Sequence, residues 1–172
     1  MATEVCAMAA TGTPNNWTLG AGASKVAAVA APDDDDTTYI NSGTVDETEQ
    51  RFTVSPSSIS VGDTITQIDI AARNLRDHGS NPTFVLGYTF TPNGGGTQTG
   101  ESTDITSTLT WKTDTYTHSG LSVVWGSSLV VWIRNTLARN MRCSTLRITL
   151  TYTPAAGGMP VKAMYYAQMM GN

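Results

Sequence analysis

Four consecutive carboxylates, Asp33, Asp34, Asp35 and Asp36, stand directly before Thr37-Thr-Tyr-Ile40. Oxygen ligands in that number suggest calcium, which takes about six to eight of them along a bent loop. Asp46, Glu47 or Glu49, on the far side of a following hairpin, could add to the set. Adjacent residues of an extended chain point to opposite sides, however, so four in a row do not converge on one ion, and no Asp-x-Asp-x-Asp-Gly spacing is present. A second chemistry would use two of the aspartates as the paired acids of a glycosidase. The reading preferred here is neither: the run is a solvated edge or a subunit contact, Asp36 or Thr37 opens a strand, and Tyr39 anchors it.

Nucleophilic catalysis needs a base beside a nucleophile. The chain has two histidines, His78 in Arg76-Asp-His-Gly and His118 in Tyr116-Thr-His-Ser-Gly120, both near turns, and it lacks a Gly-x-Ser-x-Gly elbow. Asn93-Gly-Gly-Gly96 does not lead into a helical pattern and so lacks the helix N-terminus of a phosphate cradle. Cys6 and Cys143 show no zinc spacing, and fit either one disulfide or two separate thiols. Trp111, Tyr116 and Trp125 have the right chemistry to stack on sugar rings. The expectation is a protein without catalytic residues, cofactor or metal.

The 172 residues suffice for one domain with a single core. Only 14% are charged, lysine is confined to Lys25, Lys112 and Lys162, and Thr, Ser and Gly are abundant, as in a turn-rich all-β protein. A net charge of −4 gives no broad footprint for a phosphate backbone, so nucleic acid is not an expected partner. The one basic cluster, Arg134, Arg139, Arg142 and Arg147, is expected to cap a strand connection or pair with acidic neighbours, on this subunit or another. Glu4 stands where a secretory signal would carry a base, and no apolar run reaches the ~20 residues of a membrane helix. A chain made in the cytoplasm, with no membrane partner, is expected.

Alternation and β-branched content predict strands over Thr37 to Asn41, Gln50 to Val54, Ile65 to Asn74, Thr83 to Phe90, Ser107 to Lys112, Thr115 to His118, Ser128 to Asn135 and Thr145 to Thr153. Ile68, Ile70 and Ala72 should share a buried face, as should Leu146, Ile148, Leu150 and Tyr152. The Thr83 to Phe90 strand is expected to pair with Ile65 to Asn74 as a hairpin, and 92 to 101 to form a flexible loop. The pattern predicts an all-β, jelly-roll-like antiparallel β-sandwich over 32–154, with extended N- and C-terminal arms over 1–31 and 155–172. The second arm carries Met159, Met164, Tyr165, Tyr166, Met169 and Met170, too apolar for a solvated tail. Its surface would be this subunit's own sandwich or a neighbour's.

Pro32-Asp-Asp-Asp-Asp-Thr-Thr-Tyr-Ile40, Phe52-Thr53, the Ile65 to Arg73 strand, Leu86-Gly-Tyr88 and Leu146-Arg-Ile-Thr-Leu-Thr-Tyr-Thr-Pro154 together resemble a family of β-sandwich virion structural proteins of tailed bacteriophages, over residues 17 to 154. The resemblance implies a non-enzymatic capsid decoration, collar or tail component, in which Asp35 to Ile40 are structural. It also implies a virion location, a homo-oligomer, and partners such as the major capsid protein. Sandwiches of this kind also serve as carbohydrate-binding modules. The alternatives are therefore such a module, calcium-dependent if the aspartates hold an ion, or a subunit of an extracellular filament.

Overall fold

The computed structural model describes residues 1–30, 36–77 and 81–156. They form eleven strands and one short helix: β1 (Ala2–Asn15), β2 (Thr18–Ala21), α1 (Lys25–Val29), β3 (Tyr39–Asn41), β4 (Glu49–Ser55), β5 (Thr64–Arg76), β6 (Thr83–Thr91), β7 (Gln98–Glu101), β8 (Ile105–Thr106), β9 (Lys112–Val124), β10 (Ser128–Asn135) and β11 (Met141–Thr153). All pairings are antiparallel. The first sheet runs β9-β5-β11, and β11's other edge is shared by β3 at one end and the first half of β1 at the other. β2 extends it beyond β3. The second sheet runs from the second half of β1 through β4, β10 and β6 to β7, with β8 also on β6.

The two sheets face each other as a jelly-roll-like sandwich because each strand alternates. Ile68, Ile70 and Ala72 of β5 and Leu146, Ile148 and Leu150 of β11 meet Phe52 and Val54 of β4, Leu129, Val131 and Ile133 of β10, and Phe84, Leu86 and Phe90 of β6 in one core. These are the faces expected for β5 and β11.

Several expectations change. Residues 1–31 are expected to be an arm outside the sandwich, but β1 pairs in both sheets and places Cys6 and Met8 in the core. Trp17 is 1% exposed, with its Nε1–H donated to the Thr48 carbonyl at 2.9 Å, and Ala28 and Val29 of α1 are buried as well. α1 is capped by the Ser24 hydroxyl, which accepts from the Ala27 N–H at 3.1 Å. β6 is not the hairpin partner of β5: it pairs along its whole length with β10, so the connection after Arg76 crosses between sheets. Residues 107–111 form no strand. Ser107 is buried there and donates its hydroxyl to Asn74 Oδ1 at 2.8 Å, a side-chain bond in place of a ladder. The loop expected over 92 to 101 closes into β7.

Trp17 shows how far the N-terminal residues belong to the core. Trp17→Ala removes a fully buried ring and leaves the Thr48 carbonyl unbonded by it, and should cost about 3–5 kcal/mol. A denaturant-unfolding midpoint unchanged by the substitution would mean that the N-terminal strand is an appendage after all.

Candidate functional site

Asp36 is the described member of the aspartate run. Its two carboxylate oxygens accept from Arg73 Nε and Nη2 at 2.8 and 2.9 Å, a bidentate pair on the outer face of the first sheet. Among the described residues no three metal-ligating side chains converge. Asp33, Asp34 and Asp35 lie outside the described residues. So do His78 and all six candidates in the C-terminal arm, Met159, Met164, Tyr165, Tyr166, Met169 and Met170.

The three aromatic candidates do not come together. Trp125 is 5% exposed and stacks on Phe90 with ring centroids 5.2 Å apart, so it is a core residue and not a sugar platform. Tyr116 points inward from β9 to a cluster at the sandwich edge, where the Tyr88 hydroxyl and His118 Nδ1 are 2.7 Å apart. Burial, reinforced by Tyr116, pushes the Tyr88 phenol up to about 12. Tyr116 is raised by burial and by Glu101. Gly100 roofs this cluster: a Cβ there would lie 2.6 Å from the Tyr88 ring and 2.8 Å from His118 Nδ1.

Trp111 is half-buried and faces outward. Its partner is Tyr39, 6.5 Å away between centroids and tilted by 55°. The two rings stand on opposite flanks, Tyr39 on β3 and Trp111 just before β9, and reach toward each other over β11 and β5. Arg142 of β11 lies 4.6 Å from the Tyr39 ring centroid, and Arg73 of β5 lies 6.0 Å from that of Trp111. Arg142 Nε is 2.6 Å from Asp77 Oδ1, and the other Asp77 oxygen accepts from the Asn140 amide. Asn140 Oδ1 in turn accepts from the Gly43 N–H at 3.2 Å.

This row continues into a pocket of about 590 Å³ lined by Thr18, Asn41, Gly43, Thr44, Ala138, Arg139 and Asn140. Strand register explains the placement. Ile40 is buried, so its neighbours Tyr39 and Asn41 share the outer face, and the paired residues Thr18 and Arg142 flank Asn41 on that face. Gly20 leaves room for both, since a Cβ there would fall 2.2 Å from the Tyr39 ring and 2.6 Å from Asn41 Nδ2. Asn41 Oδ1 is buried, and among the described residues no donor reaches it. A buried acceptor in a polar pocket is costly unless something donates to it.

Trp132 is 7% exposed and lies over Gly87, where a Cβ would be 2.2 Å from its ring. Arg134 stacks on Trp132 at 5.5 Å and is held by Glu47 at 2.6 Å and Glu101 at 3.2 Å.

Sequence reasoning placed Trp111 among the sugar-stacking candidates but missed Asn41, Arg142 and Arg139 as its company. The outward pairing of Tyr39 with Asn41 around buried Ile40 was the available signal. Cys6 and Cys143 are two free thiols, and burial pushes each up to about 12.

Neither a family model nor any curated protein matches this sequence. Among solved structures, the chain is similar to the CBM22-1 xylan-binding domain of Paenibacillus barcinonensis Xyn10C, 15% identical over 89% of this chain and 98% of that one, with a TM-score of 0.52. It is more loosely similar to CBM35 of Cellvibrio japonicus Abf62, 12% identical over 91% and 100%, TM-score 0.47. The enzymatically active domain of tailspike protein 4 of bacteriophage CBA120 is 10% identical over 87% and 19%, TM-score 0.46. At these identities the likeness to the xylan-binding domain is one of fold, and the two looser matches carry no weight.

Both thiols should resist a disulfide reagent such as Ellman's in the native protein at neutral pH and react at once in denaturant. Fast labelling of either in the native state would contradict their burial.

Proposed function

We propose that this chain is a non-catalytic carbohydrate-binding β-sandwich, with its ligand in the Asn41 pocket and against the Tyr39–Trp111 row. The observation that carries the reading is Asn41, which lines a pocket beside two outward aromatic rings and whose buried Oδ1 receives no hydrogen bond from the described residues. Sugar rings present apolar C–H faces and hydroxyl edges. A ring face against Tyr39 or Trp111, with a hydroxyl donated to Asn41, would satisfy both kinds of group. The fold shared with a xylan-binding domain supports the same reading. For catalysis the described residues offer little: His118 is engaged with Tyr88 and both thiols are buried with raised pKa.

A second reading, a structural component of a bacteriophage particle that assembles with itself and with capsid proteins, is favoured by a different surface. Where β1 passes between sheets, Val5, Cys6, Ala7, Met8, Ala30, Leu146 and Arg147 line a mainly apolar groove of about 420 Å³, and Val5 is 61% exposed. The two readings are compatible, since a particle component can carry a glycan site.

For the first reading, Asn41→Ala and Tyr39→Ala should each weaken binding to a recognised glycan about ten-fold or more with unchanged thermal melting. Full affinity in both variants would place the ligand elsewhere. For the second, light scattering over a concentration series should show a discrete oligomer that Val5→Asp shifts toward monomer. A protein that is monomeric throughout would sink the assembly role of this groove.

A further inference from the structure

We infer that the Asn41 pocket selects acidic sugars, with a uronic acid carboxylate held by Arg139. This inference rests on the carbohydrate reading above and adds the charge of the ligand to it. Three arginines border the site, and two are already neutralised: Arg73 by Asp36 and Arg142 by Asp77. Arg139 differs. It lines the pocket and is exposed, and among the described residues no carboxylate lies within ion-pair distance of it. Among the described residues its side chain hydrogen-bonds only from Nη1 to the Ala138 carbonyl, at 2.9 Å. A guanidinium offers five N–H donors in a planar fork, so most of Arg139's donors remain for a ligand.

A sugar carboxylate is the planar, two-oxygen partner that this fork fits. The opposite requirement, a hydroxyl donor for Asn41 Oδ1, is met by the same sugar ring. The pocket thus pairs one cationic donor set with one neutral acceptor, which a ring bearing both a carboxylate and hydroxyls satisfies together. A neutral sugar would use Asn41 and leave Arg139 in water. The chain as a whole carries −4, so its long-range field opposes an anionic ligand. Any preference for acid must then come from this short-range contact, and added salt should weaken it.

The test compares trimers of galacturonic acid and of neutral galactose by titration calorimetry, with wild type, Arg139→Gln and Arg139→Lys. The wild type should bind the acidic trimer about ten-fold tighter than the neutral one. Arg139→Gln should abolish that margin by weakening the acidic trimer more than the neutral one, and Arg139→Lys should restore part of it, with native melting in both variants. Equal affinity of wild type for the two trimers, or an equal loss for both on Arg139→Gln, overturns the acidic preference but leaves the carbohydrate site standing. If wild type binds neither trimer nor any glycan of a mixed neutral and acidic array, the carbohydrate reading itself falls, and this inference falls with it.

Discussion

The structure depends on β1 serving two sheets. β11 is paired with β5 along its length, but its other edge is met by β3 only at Arg142 and Cys143 and by β1 only from Ile148 to Tyr152. An unpaired strand edge exposes backbone donors and acceptors, so the stretch between must be covered. α1 packs there, burying Ala28 and Val29. After Cys6 the same strand turns to β4 and becomes the edge of the second sheet. One continuous backbone thereby fixes the spacing between the sheets. Lys25, one residue beyond the helix cap, reaches Asn15 at 2.6 Å and the fully buried Gln50 at 3.3 Å, which ties the helix to β1 and β4.

The candidate site follows from that closure. Because β1 occupies only the far end of β11's edge, β3 and β2 can pair at the near end and carry Tyr39, Asn41 and Thr18 onto the outer face. The register shift between Cys143 and Thr145 falls between the two arginine positions, Arg142 on β11 and Arg73 opposite Thr145 on β5. The Arg73 and Asp36 side chains are 18% and 32% exposed, so their pair adds little to stability. Its effect is positional: the carboxylates hold planar guanidinium groups against two aromatic rings.

The legible parts of the fold were the strands in which side-chain type and face agree. β5 and β11 alternate Ile or Leu with polar residues, and their buried faces can be read directly. β1 was illegible because its burial is carried by small or sulfur-bearing side chains, while Val5, its most apolar residue by type, points to solvent. A run of Ala, Thr and Gly gives periodicity little to register. Residues 107–111 failed for the opposite reason: β-branched content suggested a strand, but Asn74, 0% exposed, needed side-chain partners and took Ser107 and Asp114. The pairing of β6 with β10 was hidden because sequence neighbours are the default partners. Here an apolar β6 joined the sheet whose outer face needed Gly87 under Trp132.

The arginine cluster shows why residue type and proximity in sequence did not locate the site. Arg134, Arg139, Arg142 and Arg147 fall within one short stretch, yet the connection from β10 to β11 crosses from the second sheet to the first. Arg134 consequently stacks on Trp132 on one outer face, and Arg142 on Tyr39 on the other. Each finds carboxylates there, as the sequence had led one to expect. Arg139 sits on the crossing itself, and among the described residues no acid lies within ion-pair distance of it, although Asp46 lines a neighbouring cavity with it. A turn between sheets is the place where a charge can be carried without being consumed by a strand neighbour, and here that place lines the same pocket as Asn41. The cluster that looked like one basic patch is two neutralised arginines on opposite faces, Arg134 and Arg142, and two exposed ones at separate cavities, Arg139 beside Asn41 and Arg147 in the groove along β1.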